Sequence, residues 1–116
     1  LSTSLPVLLP NGMMKFIQWK LFEPLRVNSY GFLEPSVSGK RVNPDLIIVP
    51  LLAYDKFYNR LGYGKGYYDK FFTQYLKNRK NILTIGLAFS FQKYKKIPIS
   101  KSDVKLNYIL TEKGIF

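Results

Sequence analysis

In the stretch NRLGYGKGYYDKFF, residues 59–72, glycine recurs at every second position as Gly62, Gly64 and Gly66. Arg60 stands before them, Lys65 between the last two, and Asp69 shortly after. These residue types suit the holding of a phosphate. Glycine admits positive φ and lets the backbone come close, so successive N–H groups can converge on one oxyanion. Arg60 can fork two phosphate oxygens, and Lys65 adds a point charge. An aspartate in the first turn of a helix is favourable with the dipole in its own right. Beside a phosphate, however, Asp69 repels unless a cation lies between them. Mg²⁺ does this with few protein ligands plus substrate phosphates. Asp103, ahead of the last apolar segment, is a second carboxylate for the same ion. Asp55, on the near side of the loop, is expected to hold Arg60 or a backbone amide.

The spacing alone does not settle the matter. It is neither the dinucleotide fingerprint G-x-G-x-x-G nor a Walker A loop, because no Ser or Thr follows a Gly-Lys pair. A tight connection whose glycines serve only packing explains it equally well.

Composition narrows the chemistry. The 116 residues include no Cys and no His. Disulfides, thiolate or imidazole metal sites, and Cys–His or Ser–His catalysis within the chain are thereby excluded. Reaction chemistry is left to carboxylates, Lys, Arg, Tyr, backbone donors, a metal on oxygen ligands, or the substrate itself. Eighteen Lys and Arg against seven Asp and Glu give a formal charge of +11, which calls for an anionic partner. No apolar stretch reaches the length of a membrane span. The opening LSTSLPVLLP lacks a basic leader and an initiating Met. It reads as a chain taken up partway along, with a cytoplasmic location as the default.

The elements that must position the loop follow from hydrophobic patterning. Leu5 to Leu9 and Met14 to Trp19 read as a hairpin across Pro10-Asn11-Gly12. Residues 20–44 carry three prolines and two glycines and read as irregular. Asp45 to Ala53 is a nearly continuous apolar run without alternation, which predicts a strand buried on both faces and ended by Pro50. From about Gly66, Tyr67, Phe71 and Tyr75 line up at spacing four, as do Tyr68, Phe72 and Leu76. That is an amphipathic helix, stopped by Asn78 and Lys80-Asn81. Residues 82–89 and 105–112 read as further buried strands. Strand, glycine loop, helix and strand in that order make a βαβ unit. The expected fold is a single α/β domain over 1–116. Its central, mostly parallel sheet is flanked by helices, with the glycine loop between a buried strand and the amphipathic helix.

The segment DLIIVPLLAYD…NRLGYGKGYYDKFF resembles the signature of the 5-formyltetrahydrofolate cyclo-ligase family, also called methenyltetrahydrofolate synthetases. LPVLLP, MKFIQW, YGFLEP, IGLAFSFQ and IPISKSDVKLNYILTE resemble further family segments in the same order. The resemblance implies ATP- and Mg²⁺-dependent conversion of 5-formyltetrahydrofolate to 5,10-methenyltetrahydrofolate, with ADP and phosphate released. It assigns Arg60, Leu61, Gly62, Tyr63, Gly64, Lys65, Gly66, Tyr67 and Tyr68 to ATP. Tyr63, Gly64, Lys65, Gly66 and Tyr67 also face the folate, Arg60 and Lys65 serve the chemistry, and Asp69 and Asp103 hold Mg²⁺. Trp19 and Glu34 are placed more loosely at the pocket's border. The chemistry it implies needs no protein nucleophile: the formyl oxygen attacks the γ-phosphate, and a folate nitrogen then closes the ring. Such phosphoryl transfer runs on positioning and charge neutralisation. Both ligands are anionic, the folate more so if polyglutamylated.

Three departures accompany the resemblance. Leu51 and Tyr58 stand where family members usually have glycine. A Tyr at a position needing positive φ is strained. The family's N-terminal helical region, with a basic motif for ATP and part of the folate pocket, has no counterpart here. The implied reading is an N-terminally truncated chain that keeps the fold and some nucleotide affinity, with turnover weak or nil. A second class remains open, a small basic nucleic-acid-binding domain. Its local signature is FQKYKKIP, residues 91–98, where aromatics interleave with lysines. The plainer account is a solvated basic turn, with most of the nine Tyr and nine Phe in the core. Glu112 is expected on the surface or beside a lysine. Oligomeric state is not written in these features.

Overall fold

The computed structural model describes residues 1–77, 81–101 and 103–116, apart from the side chains of residues 75–77. It divides into two compact units, Leu1–Pro44 and Asp45–Phe116.

In the first unit, β1 (Ser4–Leu8) and β2 (Met14–Gln18) form the expected hairpin, in register from Ser4 opposite Gln18 to Leu8 opposite Met14. Gly12 takes φ +81° in the turn, which glycine adopts without strain. Asn11 Oδ1 accepts the Met13 amide at 3.0 Å. The middle of this unit is irregular apart from three two-residue strands, β3 (Arg26–Val27), β4 (Leu33–Glu34) and β5 (Arg41–Val42). β3 pairs with β4, and β5 extends the hairpin beyond β2. Val7, Met14, Phe16 and Ile17 are buried. Buried Glu34 gathers this unit's polar contacts, accepting from Arg26 Nη2 at 3.0 Å, Asn28 Nδ2 at 3.2 Å and the Leu8 amide at 3.3 Å.

The second unit begins with β6 (Leu46–Pro50) and the short β7 (Ala53–Tyr54) and β8 (Arg60–Leu61). Then come α1 (Tyr67–Lys77), β9 (Leu83–Leu87), a 3₁₀ turn at Ser90–Gln92, β10 (Tyr108–Thr111) and β11 (Gly114–Ile115). Its main sheet has the order β11-β10-β9-β6. β6 and β10 each run parallel to β9, which makes β6–α1–β9 the expected βαβ crossover. Pro50, opposite Leu87, closes the β6 ladder. In α1, Phe71 and Phe72 are buried, and Lys70, Thr73 and Gln74 are exposed. The expected helix stop at Asn78 and Lys80 lies outside the described residues, as do the side chains of Tyr75 and Leu76.

The main sheet is mixed but mostly parallel, as expected, with β11 folding back antiparallel on β10. Three expectations are corrected. Helices do not flank it in number: α1 is the single α-helix among the described residues. The apolar run at β6 is not buried on both faces, since Ile47 and Val49 are buried while Leu46 and Ile48 are exposed. A crossover lays its helix on one face of a sheet, and an all-apolar run carries no alternation to reveal which face that is. The glycine loop also does not leave the buried strand directly. The β7–β8 hairpin intervenes, with Tyr54 opposite Arg60. Close packing shows at Gly86 in β9, where a Cβ would meet Leu106 Cδ1 at 2.6 Å and Leu51 Cδ2 at 2.9 Å. The buried Leu51 fills the space that this glycine leaves.

Candidate functional site

The β7–β8 connection is fastened by one buried carboxylate. Asp55 Oδ1 accepts the amides of Phe57 (2.9 Å) and Asn59 (3.1 Å). Its Oδ2 accepts Asn59 Nδ2 (3.2 Å) and the amide of Ile97 (3.0 Å). Asp55 therefore holds backbone amides, the second of the two roles expected for it. Burial pushes its pKa up, but the bonds from Ile97, Asn59 and Phe57 outweigh that and leave it below the ordinary aspartate value. Within this connection Tyr58 has φ +64°, the left-handed conformation that a glycine takes freely. Its carbonyl accepts the Leu106 amide at 2.9 Å, and its own amide donates to Asp55 O at 3.1 Å. A turn bond on one side and a tertiary bond on the other thus hold the strained residue.

Arg60 leaves this connection with its side chain only 6% exposed. Nη1 donates to Pro50 O at 3.3 Å, and Nη2 lies 3.9 Å from Asp69 Oδ2. The guanidinium carbon sits 5.5 Å from the Tyr68 ring centroid, within cation–π range. Nε is buried without a hydrogen-bond partner among the described residues. Burial raises the Tyr68 phenol pKa, against a lowering by the Arg60 charge.

The three glycines of the loop have three different surroundings. A Cβ on Gly62 would lie 2.6 Å from Arg60 Nη1, so Gly62 makes room for the guanidinium. Gly64 has φ +95° and open space around it, so only conformation demands glycine there. Gly66 has φ +69° and its carbonyl accepts the Lys70 amide at 3.0 Å, which starts the helix. The packing reading thus explains Gly62, and the positive-φ reading explains Gly64 and Gly66. Leu61, Tyr63 and Lys65 are exposed, and Tyr67 and Tyr68 are half-buried on the first turn of α1.

Asp69 and Asp103 come from distant parts of the chain. Asp69 Oδ1 accepts the amide of Val104, the residue after Asp103, at 3.3 Å. Asp103 Oδ2 accepts the Ser100 amide at 2.8 Å. The fold thus brings the segment bearing the second carboxylate onto the first. No cluster of three or more Asp, Glu, His or Cys able to hold a metal exists among the described residues. Asp69 and Asp103 are the carboxylates that could hold Mg²⁺, an ion that takes few protein ligands. Trp19 and Glu34 belong to the first unit, where Trp19 Nε1 donates to Glu23 O at 3.1 Å.

A second feature lies at the carboxyl ends of the parallel strands, where α/β sheets bind ligands. Glu112, after β10, accepts the Ser90 amide and Ser90 hydroxyl at 2.6 Å each. These bonds hold its carboxyl below the ordinary value, Ser90 Oγ first and the amide next. Glu112 is thus exposed, as expected, and hydrogen-bonded to a serine, with the Lys113 charge adding a smaller lowering. Gln92 Nε2 donates to the carbonyls of Leu51 (3.3 Å) and Leu52 (3.0 Å), and its Oε1 accepts the Phe89 amide (2.7 Å). The available signal was FSFQ directly after an apolar strand, with nothing in it to say which side chains would turn inward.

A family model described as the 5-formyltetrahydrofolate cyclo-ligase family matches residues 2–112. A 5-formyltetrahydrofolate cyclo-ligase from Haemophilus influenzae is 34% identical over 112 residues, spanning 91% of this chain and 59% of that protein. One from Escherichia coli is 31% identical over 120 residues, covering 97% and 64%. The solved Aquifex aeolicus 5,10-methenyltetrahydrofolate synthetase superposes with a TM-score of 0.76 at 35% identity, over 98% of this chain and 57% of that one. The chain therefore spans roughly three-fifths of the length of these relatives.

Proposed function

The chain belongs to the 5-formyltetrahydrofolate cyclo-ligase family, and from that premise we propose that its glycine loop binds the triphosphate of ATP for cyclisation of 5-formyltetrahydrofolate to 5,10-methenyltetrahydrofolate. The observation that carries this reading is Arg60. A guanidinium is drawn inward beside a loop with two positive-φ glycines, and its Nε is buried without a partner among the described residues. Such an orphan calls for an explanation, and an arriving anion supplies one for the whole group.

In this reading the amides around Gly64 and Gly66 and the start of α1 receive phosphate oxygens. Exposed Lys65 and inward Arg60 offset the charge that builds as the formyl oxygen attacks the γ-phosphate. Residues 60–68 line the nucleotide, and Tyr63 to Tyr67 also face the folate. Asp69 and Asp103 would hold Mg²⁺, which when bound supplies further neutralisation between phosphates. None of these 116 residues can transfer a proton as histidine, because the sequence contains none.

Two measurements test this. An absorbance assay with ATP, Mg²⁺ and 5-formyltetrahydrofolate reads methenyltetrahydrofolate formation, and product in any amount supports the cyclisation, turnover by this chain being expected weak or nil. In titration calorimetry, Lys65→Ala should weaken Mg·ATP by roughly tenfold or more, since hydrogen bonds to charged groups contribute about 1.5–3 kcal/mol. Asp69→Ala should weaken Mg·ATP but not metal-free ATP. Affinity unchanged in Lys65→Ala would remove the phosphate assignment. Identical behaviour of Asp69→Ala with and without Mg²⁺ would remove the metal assignment.

A further inference from the structure

We propose that Phe89 and Phe91 form a stacking platform for the purine ring of the nucleotide whose triphosphate lies on the glycine loop; this rests on the reading above. The two rings are parallel to within 6°, with centroids 5.6 Å apart. They are 59% and 78% exposed, although aromatic side chains of this size ordinarily contribute by being buried.

The turn that presents them is unusually constrained for a surface turn. Glu112 grips Ser90 through both its amide and its hydroxyl, and Gln92 ties the same turn to Leu51, Leu52 and Phe89. Three strand ends are thus bolted together under two largely exposed rings. A rigid pair of aromatic faces loses little conformational freedom when a flat ring docks on it.

The platform also joins the glycine loop through continuous backbone pairing. Lys93, two residues beyond Phe91, bridges to Tyr54, and the Tyr94 amide donates to Tyr54 O at 2.7 Å. Tyr54 in turn pairs with Arg60. Two strand spacings separate Lys93 from Arg60, roughly 10 Å. That gap suits a triphosphate tail passing from Lys93 toward Arg60, with the ring beyond Lys93 at Phe89 and Phe91. Exposed Lys93, Lys95 and Lys96 give the path the sign an anionic tail requires.

Titration calorimetry on the full chain tests this with three ligands: Mg·ATP, inorganic tripolyphosphate, which lacks a ring, and 5-formyltetrahydrofolate. Removal of a stacking face should weaken ATP roughly five- to a hundredfold. Phe91→Ala and the Phe89→Ala/Phe91→Ala pair should therefore lose ATP affinity while tripolyphosphate binding holds. Phe91→Leu, which keeps apolar bulk without a ring face, should lose as much as Phe91→Ala, and Phe91→Trp should restore binding. Unchanged ATP affinity overturns the platform and leaves the loop reading standing. Retained affinity in Phe91→Leu also overturns it, by showing that bulk rather than stacking matters. Loss confined to 5-formyltetrahydrofolate moves the platform to the pterin and overturns the purine assignment. An equal loss of tripolyphosphate does so too, because the damage is then to the fold. Should wild type bind tripolyphosphate no better than Lys65→Ala does, it is the loop reading that fails. A short oligothymidylate bound more tightly than ATP, through the same two rings, would instead assign the surface to single-stranded nucleic acid.

Discussion

Tyr58 holds φ +64° with a full side chain attached. For an L-residue the left-handed region costs roughly 1–2 kcal/mol, through the approach of Cβ to the following carbonyl oxygen. Glycine removes that clash but enlarges the entropy of the unfolded chain by about 0.5–1 kcal/mol. Because the Tyr58 side chain is only half-buried, little packing is lost on truncation. Tyr58→Gly should therefore raise stability by up to about 1 kcal/mol, visible as a higher denaturant midpoint at unchanged slope. A lower midpoint would mean that the Tyr58 ring contributes more by packing than its backbone loses by strain. At this scale the sequence was partly legible. The glycine expected at position 58 from the family pattern coincides with a positive φ, so the suspicion of strain was sound. Gly62, Gly64 and Gly66 looked equivalent in the sequence, because spacing does not record that one of them faces an arginine and two need left-handed φ.

At the scale of elements, the β7–β8 hairpin and its clamp separate the glycine loop from β6. The clamp is electrostatic, which gives it a pH signature. Asp55 titrates below its ordinary value in the fold, so the native state favours the ionised form. Its contribution is fully present above the unfolded value of about 3.9 and is lost as pH falls through the lower folded value. Asp55→Asn removes the charge and turns an amide donor toward the Ile97 amide or the Asn59 side chain. It should cost about 1–3 kcal/mol at pH 7. The gap between the two proteins should narrow as pH is lowered from 5 through the folded pKa. Denaturant midpoints measured across that range check this, and a gap independent of pH would mean that Asp55 acts through shape alone. The βαβ order, the hairpin of the first unit and the amphipathic face of α1 could be read from periodicity. The two-residue strands could not, because two residues have no period. Nor could the open face of β6, because Leu46, Ile47, Ile48 and Val49 look alike in sequence while alternating in burial.

At the scale of the whole molecule, the +11 charge predicts an anionic partner without naming it. It also predicts how that partner arrives. A field of one sign accelerates encounter with an oppositely charged ligand and is screened over about 8–10 Å at ordinary ionic strength. Contacts made after docking are screened far less when they are partly buried, as Arg60 is. For Mg·ATP the association rate should therefore fall as salt rises from 50 to about 300 mM, while the dissociation rate changes comparatively little. Charge removed at the site acts differently. Lys65→Ala takes away one of eighteen basic residues, so it should leave most of the salt dependence of association in place and act chiefly on dissociation. Stopped-flow mixing with a fluorescent ATP analogue at several salt concentrations separates the two rates. Were salt to act mainly on dissociation, the net charge would not be steering the nucleotide. The salt effect would then belong to a few exposed contacts at the loop, and the excess of basic residues would need another anionic ligand to explain it.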